Sequence, residues 1–441
     1  MKYSAKNKLK LLTAIFTVII SLGSAQAQDM WTLQQCIDST MVKNKKLQIK
    51  KNETFISSQR EKEVKSNLLP KLSVNGDYKY YTDLPTQLMP LSVFGGPEGQ
   101  FREAQFGVQH NINANVALNM ALYNPEIFGA IKKSKIASEI SNLSYQKSKE
   151  DIYFEVSYYY YNAQIVKNQI QFIQNNLTNS KKLLKVVELL NEQLLLTKTD
   201  VDKVKLQLQQ LKTNKLVAEN KYQQILNGMK LLMGVELKQE FTIESKVNFK
   251  KTTNYQLQKT INTQMNEVQN RLLSADIATL QRSRYLPSVY LYGSYGTMGY
   301  GYTESPNEFL NFYTVGFLGV KMSYSLFNGT TTLKKINQKN IELENNELQK
   351  ELLIDQNEVQ IENAKLQMSI ANELVVSGEL QIELAQSVYE QVLRQQKEGL
   401  VNITEVLLAD SALRTAQQAY ISAIVDYYKA DLELRKLTGN I

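Results

Sequence analysis

The sequence predicts a mainly α chain with strands suited to a membrane β-barrel, arranged as two internal repeats of helix, strand, strand, long helix and helix. Three observations carry this expectation. All seven prolines lie in two windows: Pro70, Pro85, Pro90, Pro97 and Pro125, then Pro287 and Pro306. The long Pro-free stretches are rich in Gln, Lys, Leu, Glu, Asn and Ile, as long helices are. The windows themselves are rich in Tyr, Gly and Val and alternate in polarity, as strands do. Finally, the halves match each other. "LLPKLSVNGDYKYY" from Leu68 pairs with "YLPSVYLYGSYGTM" from Tyr285, "ALYNPEIFGAIKKSK" from Ala121 with "SLFNGTTTLKKINQK" from Ser325, and "LLMG" ending at Gly234 with "KLTG" ending at Gly439.

Residues 1–27 read as a cleaved secretory signal peptide. Lys2, Lys6, Lys8 and Lys10 form a basic start, Leu11 to Leu22 an apolar run, and Ala25-Gln26-Ala27 a small-residue cleavage site. The only Cys, Cys36, stands beyond that site inside a helical pattern, so a lipoprotein is not expected and the thiol reads as a small buried residue. Removing the signal's four Lys takes the formal charge of +8 to +4. That weak charge, with no basic patch interleaved with aromatics, argues against nucleic acid as a partner. No later apolar run approaches the roughly 20 residues of a membrane helix, so any crossing is made by strands.

The remaining segments follow in order. Residues 28–69 hold a first helix (about Leu33–Leu69), and 70–124 a strand hairpin (about Leu72–Thr82 and Gln105–Tyr123). Residues 125–234 form a long helical hairpin (about Glu126–Leu196 and Asp200–Leu232) with its tip near 195–200. Residues 235–254 lose the helical period and read as a linker with short strands. Residues 255–286 repeat the first helix, 287–328 the strand hairpin (about Val289–Tyr302 and Tyr313–Phe327), and 329–441 the helical hairpin (about Thr331–Lys397 and Ile403–Leu437, tip near 398–405). At about 1.5 Å per residue, the long helices would each reach about 100 Å.

A heptad seam supports the helical hairpins. Val406, Ala409, Leu413, Ala416, Tyr420, Ala423, Tyr427, Ala430, Leu434 and Leu437 alternate in steps of three and four. An offset of 205 places Val201, Val204, Leu208, Leu211, Lys215, Ala218, Tyr222, Ile225, Met229 and Leu232 in the same register, all but Lys215 apolar. A seam this long is a strong coiled-coil pattern. The strands alternate instead. In the second, Val108, Ile112, Val116 and Leu118 oppose Asn111, Asn113, Asn115 and Asn119. The sole His, His110, lies on the apolar side, where an interfacial placement fits better than metal binding. Four such strands cannot close a barrel, and an open edge cannot sit in lipid. Two copies would give an eight-stranded barrel with little lumen, and three copies a 12-stranded one. No phosphate loop, dinucleotide fingerprint or metal constellation is present, so neither an enzyme nor a cofactor is expected.

The chain resembles the outer-membrane efflux protein (TolC) family. The carriers are the L-P-x-[LV] motif opening each strand hairpin (Leu69–Leu72 and Leu286–Val289), "LFNG" at Leu326–Gly329, and "GLVNITEVLLADSALRTAQQAYISAIVDYYKADLELRKLTG" from Gly399. A weaker copy of the last, "LTKTDVDKVKLQLQQL", opens the first returning helix, and Asn124-Pro125 departs from the family's usual hairpin exit. The resemblance implies a homotrimer: a 12-stranded barrel in the outer membrane of a Gram-negative cell, on a coiled-coil tunnel through the periplasm. It implies a passive exit duct, gated at its periplasmic tip, for a tripartite efflux or type I secretion system. Partners would be outer-membrane lipid, a periplasmic adaptor and an inner-membrane transporter of RND or ABC type, which sets the cargo. The competing reading is a periplasmic coiled-coil scaffold or adaptor without channel activity. Adaptors, however, have one helical hairpin and lack strands this long.

Within that frame Asp200 and Glu405 are tip and gate candidates, each also able to cap a helix start. A ring of Glu405 would draw cations. Asp410 is expected to face elsewhere. Leu195, Leu196, Gly399, Leu400 and Val401 are adaptor-docking candidates. Asn111, Asn113, Asn115 and Asn119 would line a hydrated, nearly uncharged lumen. One family member locks its tip with an Arg and a Tyr bonded to an Asp. The matching positions here are Val401, Gln396 and Asp200, so other contacts or packing must close this tip.

Overall fold

The computed structural model describes residues 30–244, 255–302 and 309–440. The expected signal peptide, and 245–254 of the expected linker, lie outside the described residues. Seven helices and six strands are described: α1 Leu33–Lys43, α2 Lys45–Ser66, β1 Lys71–Tyr80, β2 Thr86–Pro90, β3 Phe101–Gln105, β4 His110–Tyr123, α3 Pro125–Glu192, α4 Lys198–Met233, α5 Ile261–Tyr285, β5 Ser288–Tyr302, β6 Phe309–Ser323, α6 Thr331–Lys397 and α7 Ile403–Leu437. They group into two compact units, one of Met1–Lys51, Tyr145–Asn262 and Leu353–Ile441, the other of Asn52–Ser144 and Thr263–Leu352.

The strand-bearing unit is built on a four-stranded sheet in the order β1-β4-β5-β6. Every neighbouring pair is antiparallel. All helix connections leave from one end of this sheet, and both strand-to-strand loops lie at the other. β1 and β6 are edges, each with one paired side. β5, the poorest strand by its Gly and Tyr content, is paired with β6 from Ser288 to Tyr302 and with β4 from Val289 to Gly301. Its aromatics explain this. Tyr292 lies opposite Gly319, Tyr295 opposite Gly316 and Phe312 opposite Gly299. A methyl group at Gly316 would stand 2.7 Å from the Tyr295 ring, and one at Gly319 would stand 3.1 Å from the Tyr292 ring. Each ring therefore lies down on the bare backbone across from it. Beside the sheet, Ile136 of α3 packs with Val268 and Ala275 of α5, and Lys133 pairs with Asp276 at 2.7 Å.

The second unit is helical. Its largest core joins Cys36, Ile37 and Leu47 to Ile152, Val156 and Tyr160 of α3, and to Leu226, Met229 and Met233 of α4. Burial of this order stabilises by about 1.5–3 kcal/mol per large side chain. It also pushes the Cys36 thiol up to about 12, so the group is an inert apolar residue here. Tyr161 and Tyr428 stack with ring centres 4.2 Å apart. Tyr255 donates to Asp431 at 2.5 Å. Phe241 and Ile243 close the α1 end of the core, with Ile243 bridging to Trp31.

Several expected boundaries move. The single first helix is two, broken at Asn44. That residue turns out of helical geometry (φ −64°, ψ 122°), donates its side chain to the Leu232 carbonyl at 2.7 Å and accepts from the Leu47 N–H at 3.1 Å. α5 starts at Ile261 rather than Tyr255, and α3 stops at Glu192 rather than Leu196. The expected strand Gln105–Tyr123 divides. Gln105 ends β3, which pairs with β2 in a separate hairpin, and β4 begins only at His110. Gly107 makes the corner at φ +117°. The last strand runs Phe309–Ser323 rather than Tyr313–Phe327, and Gly329 and Thr330 turn into α6 with positive φ. Near the end of α4 the buried row drifts by one residue. Leu226 and Met233 are buried where the heptad expects Ile225 and Leu232, while Met229 keeps its place.

Candidate functional site

The two tips are built alike. α3 closes with the Leu195 N–H bonded to the Leu190 carbonyl at 2.9 Å, and α6 with the Leu400 N–H bonded to the Gln395 carbonyl at 2.9 Å. In each, the residue before the bonded N–H turns left-handed: Leu194 at φ +61° and Gly399 at φ +76°. This is the six-to-one closure of a helix end, which favours glycine at the left-handed position. The next helices start at the same offset. Thr197 caps α4 and Asn402 caps α7, each accepting from the backbone N–H three residues on, at Asp200 and Glu405. The acids therefore stand at the third helical residue, within the first turn of each helix.

Their environments differ. Asp200 completes a capping box, accepting from the Thr197 hydroxyl at 2.7 Å and from the Lys203 ammonium at 3.3 Å. Those bonds hold its carboxyl below the usual carboxylate range, the Thr197 hydroxyl contributing most. Lys203 also reaches the Thr404 hydroxyl at 3.3 Å, joining the two tips. Glu405 is exposed.

Beneath the turns, Leu183, Val187, Val201, Val204, Tyr389, Ile403, Val406, Ala409 and Leu413 form one apolar core drawn from all four hairpin helices. Leu196 packs against it, and Val401 is half-buried. Leu195 and Leu400 are exposed, and Leu194 is 92% exposed. One layer deeper the core turns polar. Asp410, 3% exposed, accepts from the Gln207 side-chain amide and pairs with Arg414 at 3.0 Å. Burial raises its carboxyl pKa, against the lowering pull of Arg414 and Gln207. Gln396 is buried. The heptad misses Gln207 because it assigns the seam to Leu208. The 205 offset from Gly399 marks Leu194, a position that sequence reasoning passes over because leucine is not a turn residue.

The sheet presents a polar face. Residues opposite one another in antiparallel strands share a face. Asn111, Asn113, Asn115 and Asn119 are thus joined by Lys79, Asp77, Asn75 and Lys71 of β1. Asn113 donates to Asp77 at 3.1 Å, Asn75 to Asn115 at 3.2 Å, and Lys79 pairs with Asp77 at 3.4 Å. β1 adds both signs of charge to this face. Across β5 the same face passes to Tyr292 and Phe317, whose rings meet edge to face at 5.9 Å. His110 stands on the opposite, apolar face, its Nδ1 2.8 Å from the Tyr78 hydroxyl.

A strand hairpin and a long helical hairpin in each half, with paired tips, define the fold of the outer-membrane channels. Solved structures match it across nearly the whole chain. The outer membrane protein VceC of Vibrio cholerae is 13% identical, with a TM-score of 0.72 over 92% of this chain and 96% of its own. CusC, described with transmembrane channel formation, is 13% identical, with a TM-score of 0.75 over 92% and 91%. The MtrE outer membrane channel of Neisseria gonorrhoeae, in its open state, is 14% identical, with a TM-score of 0.72 over 92% and 88%. Residues 255–440 match the family described as outer membrane efflux protein. No curated protein matches the chain by sequence.

Proposed function

We propose that this chain is the outer-membrane exit duct of a tripartite export system, acting as a homotrimer and as a passive conduit. The observation that carries the reading is the four-stranded antiparallel sheet with two free edges. Free backbone groups at such edges are not tolerated in lipid, and closure needs at least about eight strands. β1 and β6 run in opposite directions, so copies joined edge to edge continue an antiparallel barrel, and three copies supply twelve strands. A second feature supports self-association. Ile341, Leu348, Leu352, Val359, Leu366 and Ile370 of α6 are exposed at heptad spacing, a seam awaiting another helix.

In this reading the Asn-rich face lines the lumen. The tips lie in the periplasm, where Glu405 and Asp200 ring the mouth. Leu195 and Leu400, with Leu194, are offered to a periplasmic adaptor coupled to an inner-membrane transporter. Gly399 shapes the turn, while Leu196 and Val401 serve packing. Closure rests on the apolar tip core and on the Lys203–Thr404 and Gln207–Asp410 contacts. The test is purification from outer-membrane fractions, light scattering in detergent and conductance in planar bilayers. A heat-modifiable trimer with discrete conductance steps is expected. A soluble periplasmic monomer would overturn the reading in favour of a scaffold.

A further inference from the structure

The chain between β1 and β4 is not a simple loop. β2 and β3 pair over five residues each, and their turn is a short helical loop, Leu91–Phe94, closed by the Leu91 N–H on the Gln100 carbonyl at 2.9 Å. The hairpin is rooted on the sheet: Tyr81 donates to Gln109 at 2.9 Å and Phe106 to Pro85 at 3.2 Å. Its register puts Leu88, Pro90 and Phe101 on one face with Thr86, Glu103 and Gln105, the apolar side chains gathering toward the turn. Leu88, Phe101 and the turn residues Val93 and Phe94 are all exposed, Phe94 at 72%. A lone two-stranded hairpin with its apolar turn end in water is marginal at best, so something covers it.

The topology says what lies next to it. The hairpin grows from the loop end of β1, and β1 is a free edge. On the three-copy reading above, the strand that joins this edge is β6 of the next copy, running antiparallel. The loop end of that β6 is its start, where Phe309, Leu310 and Phe312 are exposed. Two exposed apolar groups, from different copies, are thus brought to the same end of the same seam. We propose that the β2–β3 hairpin is a clasp: it packs on the start of β6 in the neighbouring copy and fastens the seam between copies. A pairing of β1 with β6 by backbone bonds alone leaves register weakly specified in Gly-rich strands. An apolar clasp beyond the strand ends fixes it.

The test uses the full chain in detergent. Cys36 is fully buried, so introduced thiols are the reactive ones. Phe94→Cys combined with Leu310→Cys, treated with a short bismaleimide, is expected to give covalent dimers and trimers. Leu310→Cys alone is expected to give none. In parallel, Phe94→Ser is expected to lower the temperature at which trimers fall to monomers in SDS by about 5 °C or more. Trimers that neither cross-link nor lose thermal resistance overturn the clasp and leave the trimer standing. Efficient cross-linking by Phe94→Cys alone also overturns it, because the hairpins would then meet each other over the mouth. A wild-type monomer by light scattering removes the three-copy reading, and the clasp with it.

Discussion

The Gln207 side-chain amide donates to the carboxylate of Asp410, 203 residues further along the chain, and ties α4 to α7 just below the tips. Arg414, one turn along α7, pairs with the same carboxylate oxygen at 3.0 Å. Tyr389 of α6 packs in the adjoining apolar core. Removing the Asp410 carboxylate would leave Arg414 with the residue 410 backbone carbonyl, which accepts from its Nε at 3.3 Å. Asp410→Ala is expected to destabilise the helical unit by about 2 kcal/mol, less than a fully buried pair would lose, because Arg414 is partly exposed.

The same group predicts a pH dependence. Burial raises the Asp410 pKa above its unfolded value. Its contribution is therefore fullest below the unfolded pKa and is lost as pH rises through the folded one. The melting temperature of the wild type, relative to Asp410→Asn, should fall as pH rises across that window. Circular dichroism at matched pH values would measure it. A difference that stays flat would place the proton elsewhere.

Leu194 occupies the left-handed position that Gly399 holds in the other tip. A side chain there costs about 1–2 kcal/mol relative to glycine. Leu194→Gly should therefore slow hydrogen exchange at the first tip, corresponding to about 1 kcal/mol. If the exposed leucine is kept for docking, the same variant should weaken adaptor binding while stabilising the turn.

The remaining tip leucines test docking directly. Leu195→Ser with Leu400→Ser alters exposed side chains and leaves the core contacts of Leu196 in place. Conductance and trimer formation are expected to persist, while export and adaptor capture fall at least about tenfold, a loss of about 1.4 kcal/mol in binding. Equal loss of trimer would show a folding defect instead.

Glu405, unlike Asp200, is not drawn into a capping box. Its charge is available to passing ions in the proposed mouth. Glu405→Gln should shift the reversal potential toward lower cation selectivity and relieve block by divalent cations. An unchanged reversal potential would confine the residue to the helix start.

The sequence was most legible where backbone chemistry enforces a boundary. α6 and α7 run as expected, from Thr331 to Lys397 and from Ile403 to Leu437, because Gly399 and Asn402 mark the stop and the start. It was least legible where a residue serves two roles. Asn44 ends one helix and begins another with no Pro or Gly to announce it. The alternation through Phe106, Val108 and His110 hid a corner at Gly107 because polarity records a face, not continuity. At the tips, the 205 offset aligned Asp200 with Glu405, but no turn residue announced Leu194 as the counterpart of Gly399. Gln207 with Asp410 stayed hidden, since a buried polar pair looks like two surface residues until the helices are side by side.

The rings lying across β5 and β6 carry a consequence for how this sheet can drift. Gly316 has no room for a methyl group while Tyr295 lies on it, and Gly319 has little while Tyr292 does. A smaller residue at either tyrosine would bare the strand across from it. Each glycine and its ring are therefore one inherited unit: in related chains the two positions should change together or stay as they are.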